Sequence, residues 1–176
     1  RRQRQMCIRD RLKGVAMMRK DKKRFKVAMI GHKRVPSREG GIEVVVEELS
    51  VRMVERGLKV DVYNRKDRFG KAYKQPREYK GIRIIQIPTF KVSALNAFVY
   101  SVLASFRALF GGYDCIHYHA EGPCAMMWLP KLFGIHTVAT IHGLDWQRAK
   151  WGGFSTKYLK LGEKCASKYA DELIVL

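Results

Sequence analysis

Apolar and polar positions follow two different periods along this chain, and the two periods alternate from residue 25 onward. Short, nearly continuous apolar runs are typical of strands buried in a parallel sheet. They occupy FKVAMIG (25–31), LKVDVYN (58–64), GIRIIQIP (81–88), YDCIHYH (113–119), HTVATIHG (136–143) and ELIVL (172–176). Longer segments with helical spacing separate them. The pattern therefore predicts an α/β protein with a doubly wound parallel sheet, that is, a Rossmann-like domain.

The helices are predicted from the spacing of apolar side chains and from start and stop signals. From Ile42 to Met53 the apolar residues share one face, and Gly57 is suited to end this helix. The other helices are predicted over 91–110, 122–134 and 154–170. Pro123 is a favoured first position for the helix over 122–134, whereas Pro130 leaves its second half open.

Three stretches stand apart from this alternation. Residues 65–79 are polar and basic and are predicted to form an excursion on the surface. ELIVL is predicted to be a buried strand. A domain seldom stops inside its core, so we expect the sequence to be truncated. Residues 6–11, MCIRDR, resemble a translated sequencing adapter, so the basic tail over 1–24 is expected to be disordered and partly artefactual; an ordinary basic extension is the alternative.

In a doubly wound sheet, ligands bind outside the carboxyl ends of the strands. The loops that follow strands, over 32–41, 117–122 and 142–150, therefore hold the candidate site residues. Gly40 and Gly41 lie where a helix begins, and the unpaired N–H groups of a helix N-terminus stabilise a phosphate. Glycines also let a ligand approach the backbone, although a simple tight turn explains the pair equally well. Glu39 and Glu43 flank the pair and would repel an anion unless they turn away.

The second cluster is TIHGLDWQRAKWGG, residues 140–153. His142 follows a strand directly, and Asp145, Arg148 and Lys150 lie in the loop behind it. An aromatic side chain beside a carboxylate and cations suits a sugar, whereas a structural role for the histidine is the alternative. His117 and His119 alternate along one strand, from which we expect them to face opposite sides. With no third ligand at metal spacing, no metal site is expected.

Charge narrows the classes of ligand. The formal net charge is +19, and the first 24 residues carry 11 of the 35 basic and 2 of the 16 acidic residues. The remaining excess is diffuse, which suits an anionic substrate, an anionic membrane surface or a solvated surface with no partner. No nucleic-acid motif is evident. No GxGxxG or P-loop motif occurs, so no nicotinamide cofactor is expected. Cys115 and Cys165 lie in apolar contexts and are predicted to be reduced, buried thiols.

The predicted helix over 91–110 is the most apolar segment of the chain. Its uncharged stretch from Val92 to Phe106 is shorter than the roughly 18–20 residues that a membrane-spanning helix needs. Together with the basic surface, it suggests peripheral contact with an anionic membrane. Burial of the whole helix against the sheet is the alternative.

Three ordered stretches then point to a family. VAMIGHKRVPSREGGIEVVVEELSVRMVERGLKVDVYNR, YDCIHYHAEGPCAMMWLPKLFG and TVATIHGLDWQRAKWG resemble the N-terminal half of family 4 glycosyltransferases, and most of all their bacterial rhamnosyltransferase-like branch. The resemblance covers about residues 25–176. It implies a GT-B enzyme, in which an N-terminal Rossmann-like domain binds the acceptor and a second domain binds the donor nucleotide. Most members retain anomeric configuration and need no metal ion.

The resemblance also assigns roles to single residues. Gly40 and Gly41 match the glycine loop that faces the donor diphosphate, and His142 matches a strand-end histidine near the transferred sugar. Asp145, Arg148 and Lys150 match motif positions expected, with His119, to contact acceptor or sugar. No second domain follows in this sequence, so the chain alone is expected to be an inactive fragment of a hexosyltransferase.

The implied substrates are a nucleoside diphosphate sugar, with rhamnose as one donor sugar, and a glycan or lipid-linked acceptor of polysaccharide or cell-envelope biosynthesis. No cofactor is implied. The expected location is the cytoplasm, extended to the inner face of the plasma membrane if the membrane contact exists. The alternative function is a non-catalytic Rossmann-like module that binds an anionic ligand. An epimerase or dehydrogenase is disfavoured by the missing dinucleotide motif.

Overall fold

The computed structural model describes residues 24–67, 76–89, 93–143 and 153–176. Seven strands form one sheet in the order β3-β4-β2-β1-β5-β6-β7. The strands are β1 (Lys26–Ile30), β2 (Lys59–Asp67), β3 (Glu78–Tyr79), β4 (Ile82–Thr89), β5 (Cys115–His119), β6 (His136–Ile141) and β7 (Glu172–Val175). All neighbours pair in parallel except β3 with β4. This confirms the doubly wound α/β sheet, and its strand order reverses between β1 and β5.

The segment predicted as a surface excursion over 65–79 is more ordered at its two ends than expected. Strand β2 continues to Asp67, and β3 pairs with β4 through a tight turn. Lys80 and Gly81 both have positive φ, 48° and 78°, as a type I′ hairpin turn requires. The sequence signal is weak because Lys stands where Asn or Asp is usual.

The described helices are α1 (Gly41–Glu55), α2 (Ser93–Leu109), α3 (Glu121–Cys124), α4 (Trp128–Leu132) and α5 (Gly153–Tyr169). Gly57 ends α1 as predicted, with φ 87° and its N–H bonded to the carbonyl of Val54. The single helix predicted over 122–134 is wrong. Residues 125–127 form i→i−3 bonds instead, and Pro130, which has no N–H, lies inside α4.

Both faces of β1 are buried, as its continuous apolar run predicts. Ala28 and Ile30 pack into the cluster beneath α2, whereas Val27 and Met29 pack into the cluster beneath α1. Cys115 and Cys165 are free and buried, as expected. The buried last strand is a wrong prediction: β7 lies at one side of the sheet, and its residues are exposed in this chain.

Helix α2 follows neither of the two interpretations of its sequence completely. Residues such as Tyr100, Ala104 and Ala108 are buried against the sheet, whereas Phe106 and Phe110 are exposed. No helix in the described part of the chain is long and apolar enough to cross a membrane.

Candidate functional site

Strands β1 and β5 meet closely at the carboxyl end of the sheet, next to the point where the strand order reverses. Gly31 follows β1 with φ 127°, and a Cβ atom there would overlap the carbonyl oxygen of His119. Its N–H donates to the hydroxyl of Tyr100 over 3.1 Å, and that hydroxyl donates to the carbonyl of Tyr63. Burial raises the pKa of Tyr100 to about 12, so the hydroxyl stays a neutral donor. The crossing point is therefore rigid, and only glycine fits it.

His32 lies directly behind this crossing and is fully buried. Its Nε2 is 2.9 Å from Oδ1 of Asn64, and the same oxygen accepts the N–H of Val35 over 3.0 Å. The amide nitrogen of Asn64 donates to the carbonyl of Val35 over 2.7 Å. Asn64 therefore holds the loop between β1 and α1 against β2.

Helix α1 begins at this loop, and its two glycines have different surroundings. Gly40 is the N-cap in extended conformation, and a Cβ atom on it would overlap the carboxylate of Glu43. That carboxylate turns back and accepts the N–H of Lys33 over 3.0 Å. Nothing lies within 4 Å of the corresponding position on Gly41. An anion at this helix terminus therefore has room beside Gly41 and not beside Gly40.

The cations of this loop are engaged with carboxylates. Arg34 pairs with Glu39 over 2.7 Å, and Arg38 reaches Glu47 and Glu48 over 3.4 and 3.2 Å. Glu39 is consequently turned toward a cation, which reduces the repulsion expected from it. The side chain of Lys33 is exposed.

Three histidine rings lie in a row at the ends of β5 and β6. His117 and His119 stack with centroids 4.2 Å apart, and Nδ1 of His119 is 3.2 Å from Nε2 of His142. The expectation that His117 and His119 face opposite sides is wrong, because residues two apart on a strand share a face. Nε2 of His117 is 2.7 Å from the hydroxyl of Thr140 on β6.

These histidines are neutral at physiological pH. Burial lowers the pKa of His32 and of His117 to about 4. Burial, with help from the neighbouring imidazoles, also holds the pKa of His119 well below its usual value. His119 is completely buried, so it reaches a ligand only through His142, which is half-buried.

Several predicted site residues cannot be compared with this geometry, and others were not foreseen. Asp145, Arg148 and Lys150 lie outside the described residues. The sequence reasoning missed Asn64, and it missed the strained backbone of Ala120, whose φ of 69° turns the chain from β5 into α3. Within the described ranges, no three His, Cys, Asp or Glu side chains are grouped as metal ligands.

Comparison with known proteins identifies the family. Residues 39–176 match the family model described as Glycosyltransferase Family 4. The chain belongs to glycosyltransferase family 4. The resemblance seen in the sequence is thereby confirmed at the level of the family, whereas the rhamnosyltransferase-like branch stays a prediction.

Two relatives of this family 4 chain show how far the similarity extends. D-inositol 3-phosphate glycosyltransferase from Thermobifida fusca (strain YX) is 30% identical over 126 residues, which is 60% of this chain and 28% of that protein. Sucrose-phosphate synthase from Thermosynechococcus elongatus shares the fold, with a TM-score of 0.60 and 19% identity, over 85% of this chain and 42% of that one. The chain thus has the fold of an N-terminal GT-B domain and spans less than half the length of either relative.

Proposed function

We propose that the complete enzyme transfers a hexosyl group, with rhamnose as one donor sugar, from a nucleoside diphosphate sugar to a hydroxyl of a glycan or lipid-linked acceptor. Retention of anomeric configuration and independence from a metal ion are part of the proposal. Membership of family 4 supports the reaction class. The observation that carries the assignment of the site is the open space at Gly41, at the start of the 15-residue helix α1.

The chemical role of this helix terminus follows from charge. Negative charge grows on the leaving diphosphate as the bond to the sugar breaks. The first N–H groups of a helix, and the partial positive charge of its dipole, are fixed in place before the reaction and stabilise that charge. Because the carboxylate of Glu43 covers Gly40, the diphosphate would lie on the side of Gly41.

The remaining residues would bind the sugars. His142 is placed at the end of β6, two strands away from β1, and would hydrogen-bond the transferred sugar or help to position the acceptor. Asp145, Arg148 and Lys150 would contribute to the same surface. The nucleotide itself would bind to a second domain, so this chain alone is expected to be inactive.

The test replaces Gly41 in the complete enzyme and measures nucleoside diphosphate release from a panel of nucleotide sugars. Gly41→Val should lower kcat about 100-fold, the usual loss for one oxyanion donor, because the side chain would displace the diphosphate. Glu55→Val, at the exposed far end of α1, is the control for a β-branched residue in this helix. Equal turnover in both variants would contradict the role of Gly41. Binding of a nucleotide sugar without any release would favour the non-catalytic module.

Peripheral contact with an anionic membrane is the second part of the proposal. Leu103, Phe106 and Phe110 share an exposed face of α2 with Arg107, and Phe110 is 88% exposed. Phe133, at the end of α4, is also exposed, and both helices end at the amino end of the sheet. Apolar side chains beside a cation are suited to the interface of an anionic bilayer.

Vesicle co-sedimentation tests this contact with the complete enzyme. Phe106→Ser together with Phe110→Ser should abolish binding to vesicles of anionic lipid, since each buried Phe contributes about 1.5–3 kcal/mol. Leu161→Ser, which changes an exposed apolar residue on α5, should leave binding intact. Absence of wild-type binding to anionic vesicles would remove the membrane from the proposal and leave the transferase reaction untouched.

A further inference from the structure

The tautomer of one buried histidine at the carboxyl end of the sheet follows from its hydrogen bonds. Asn64 is held by both the N–H and the carbonyl of Val35, so its Oδ1 and Nδ2 atoms cannot be exchanged. Oδ1 accepts, and Nε2 of His32 must therefore carry a proton and donate it. The other nitrogen, Nδ1, is buried without a hydrogen-bond partner. His32 thus uses its N–H group and leaves a bare lone pair in the interior.

The same reasoning applies to His119. Its Nδ1 contacts Nε2 of His142 over 3.2 Å, whereas its own Nε2 is buried and has no partner. A neutral ring has one N–H group. If Nε2 carried it, a donor would be left unpaired in the interior, and orphaned buried N–H groups are rare in folded proteins. If Nδ1 carries it, the donor is used and a bare lone pair remains, as in His32.

We propose that His119 is a positioning residue that fixes the tautomer of His142. Nδ1–H of His119 donates to Nε2 of His142, so neutral His142 carries its own proton on Nδ1. His142 then offers a ligand an N–H donor and has no free lone pair on either nitrogen. It recognises an oxygen that accepts a hydrogen bond, such as a sugar hydroxyl or phosphate oxygen, and does not serve as a base. The contact with a sugar donor rests on the proposed function, whereas the tautomer does not.

Nitrogen-15 NMR of the complete enzyme, labelled at histidine, tests the tautomer without any substrate. Long-range proton–nitrogen correlations distinguish a ring protonated at Nδ1 from one protonated at Nε2. We expect both His119 and His142 to be protonated at Nδ1, with resonances assigned from His119→Asn and His142→Gln. Protonation of His142 at Nε2 would overturn the proposal, whatever the activity of the enzyme.

Kinetics then test the positioning role. His119→Leu removes the donor and should lower kcat/KM for the nucleotide sugar about tenfold, the loss expected for one hydrogen bond, while His119→Asn, which can still donate, should recover most of it. His117→Gln is the matched control, because it removes the stacked ring but can still bond Thr140. An equal loss in His119→Leu and His117→Gln would overturn the positioning role.

The controls separate this inference from the proposed function. If His142→Ala has normal kcat/KM while both rings are protonated at Nδ1, the contact of His142 with the sugar is wrong and the tautomer is right. If His142→Ala is impaired and the ring is protonated at Nε2, the proposed function survives and the inference fails.

Discussion

The two ends of the sheet hold their polar groups in opposite ways. At the amino end, Asp61 accepts hydrogen bonds from Arg83 and from the hydroxyl of Tyr113, and Lys26 lies 3.4 Å away. Lys26 also donates to the carbonyl of Gly111 over 2.7 Å. At the carboxyl end the buried polar groups are neutral imidazoles, two of which keep a nitrogen without a partner.

This difference separates a structural cluster from a candidate site. Asp61 is almost completely buried, and its partners supply the charges and donors that a buried carboxylate needs. Burial and the neighbouring Tyr63 raise the pKa of Tyr113 far above its usual range, so its hydroxyl remains a donor. Such an arrangement leaves no capacity for a ligand. The open Gly41 and the half-buried His142 keep that capacity at the other end.

The largest expected effect is on the backbone crossing at the carboxyl end. Gly31→Ala should lower the free energy of unfolding by about 3–5 kcal/mol, because the methyl group would overlap the carbonyl of His119 and φ of 127° disfavours a side chain. Chemical denaturation followed by circular dichroism measures this loss. Gly41→Ala, whose methyl group meets no atom, should unfold at the wild-type midpoint or above it. Equal midpoints for the two variants would contradict a tight crossing.

Acid should destabilise the carboxyl end through its histidines. The unfolded chain binds protons at His32 and His117 near pH 6.5, whereas the folded chain does so only near pH 4. Stability is therefore complete above pH 6.5 and falls as the pH drops toward 4, by about 3 kcal/mol for each histidine. Urea unfolding at several pH values measures the slope. His117→Gln should flatten the curve, and an unchanged slope in this variant would show that the loss arises elsewhere.

The smallest of these effects is expected at the amino end. Asp61→Asn should lower the free energy of unfolding by about 2 kcal/mol, because hydrogen bonds to a charged carboxylate become bonds to a neutral amide while Arg83 can return to solvent. Turnover by the complete enzyme should not change at temperatures where the variant is folded. Reduced kcat in a fully folded Asp61→Asn protein would contradict the division of roles between the two ends.

Much of the fold could be predicted because its signals are local. Continuous apolar runs indicated the six long strands, and Gly57 indicated the end of α1. The errors also have local causes. The hairpin at Lys80 lacks the usual turn residues, and the i→i−3 bonds over 125–127 replace a helix that the apolar pattern alone cannot distinguish. The exposure of β7 depends on which strand lies beside it, and a sequence pattern does not contain that information.

For the candidate site, the sequence by itself determined which loops follow strands, and with them His142, Gly41 and the carboxyl end of the sheet. Only the tertiary structure decided that Glu43 covers Gly40, that Asn64 holds His32, and that His119 is buried behind His142. These relationships join residues from different elements, and they depend on distances of a few ångströms between side chains. Periodicity assigns a residue to a face and to an end of the sheet, whereas packing decides which atoms on that face meet.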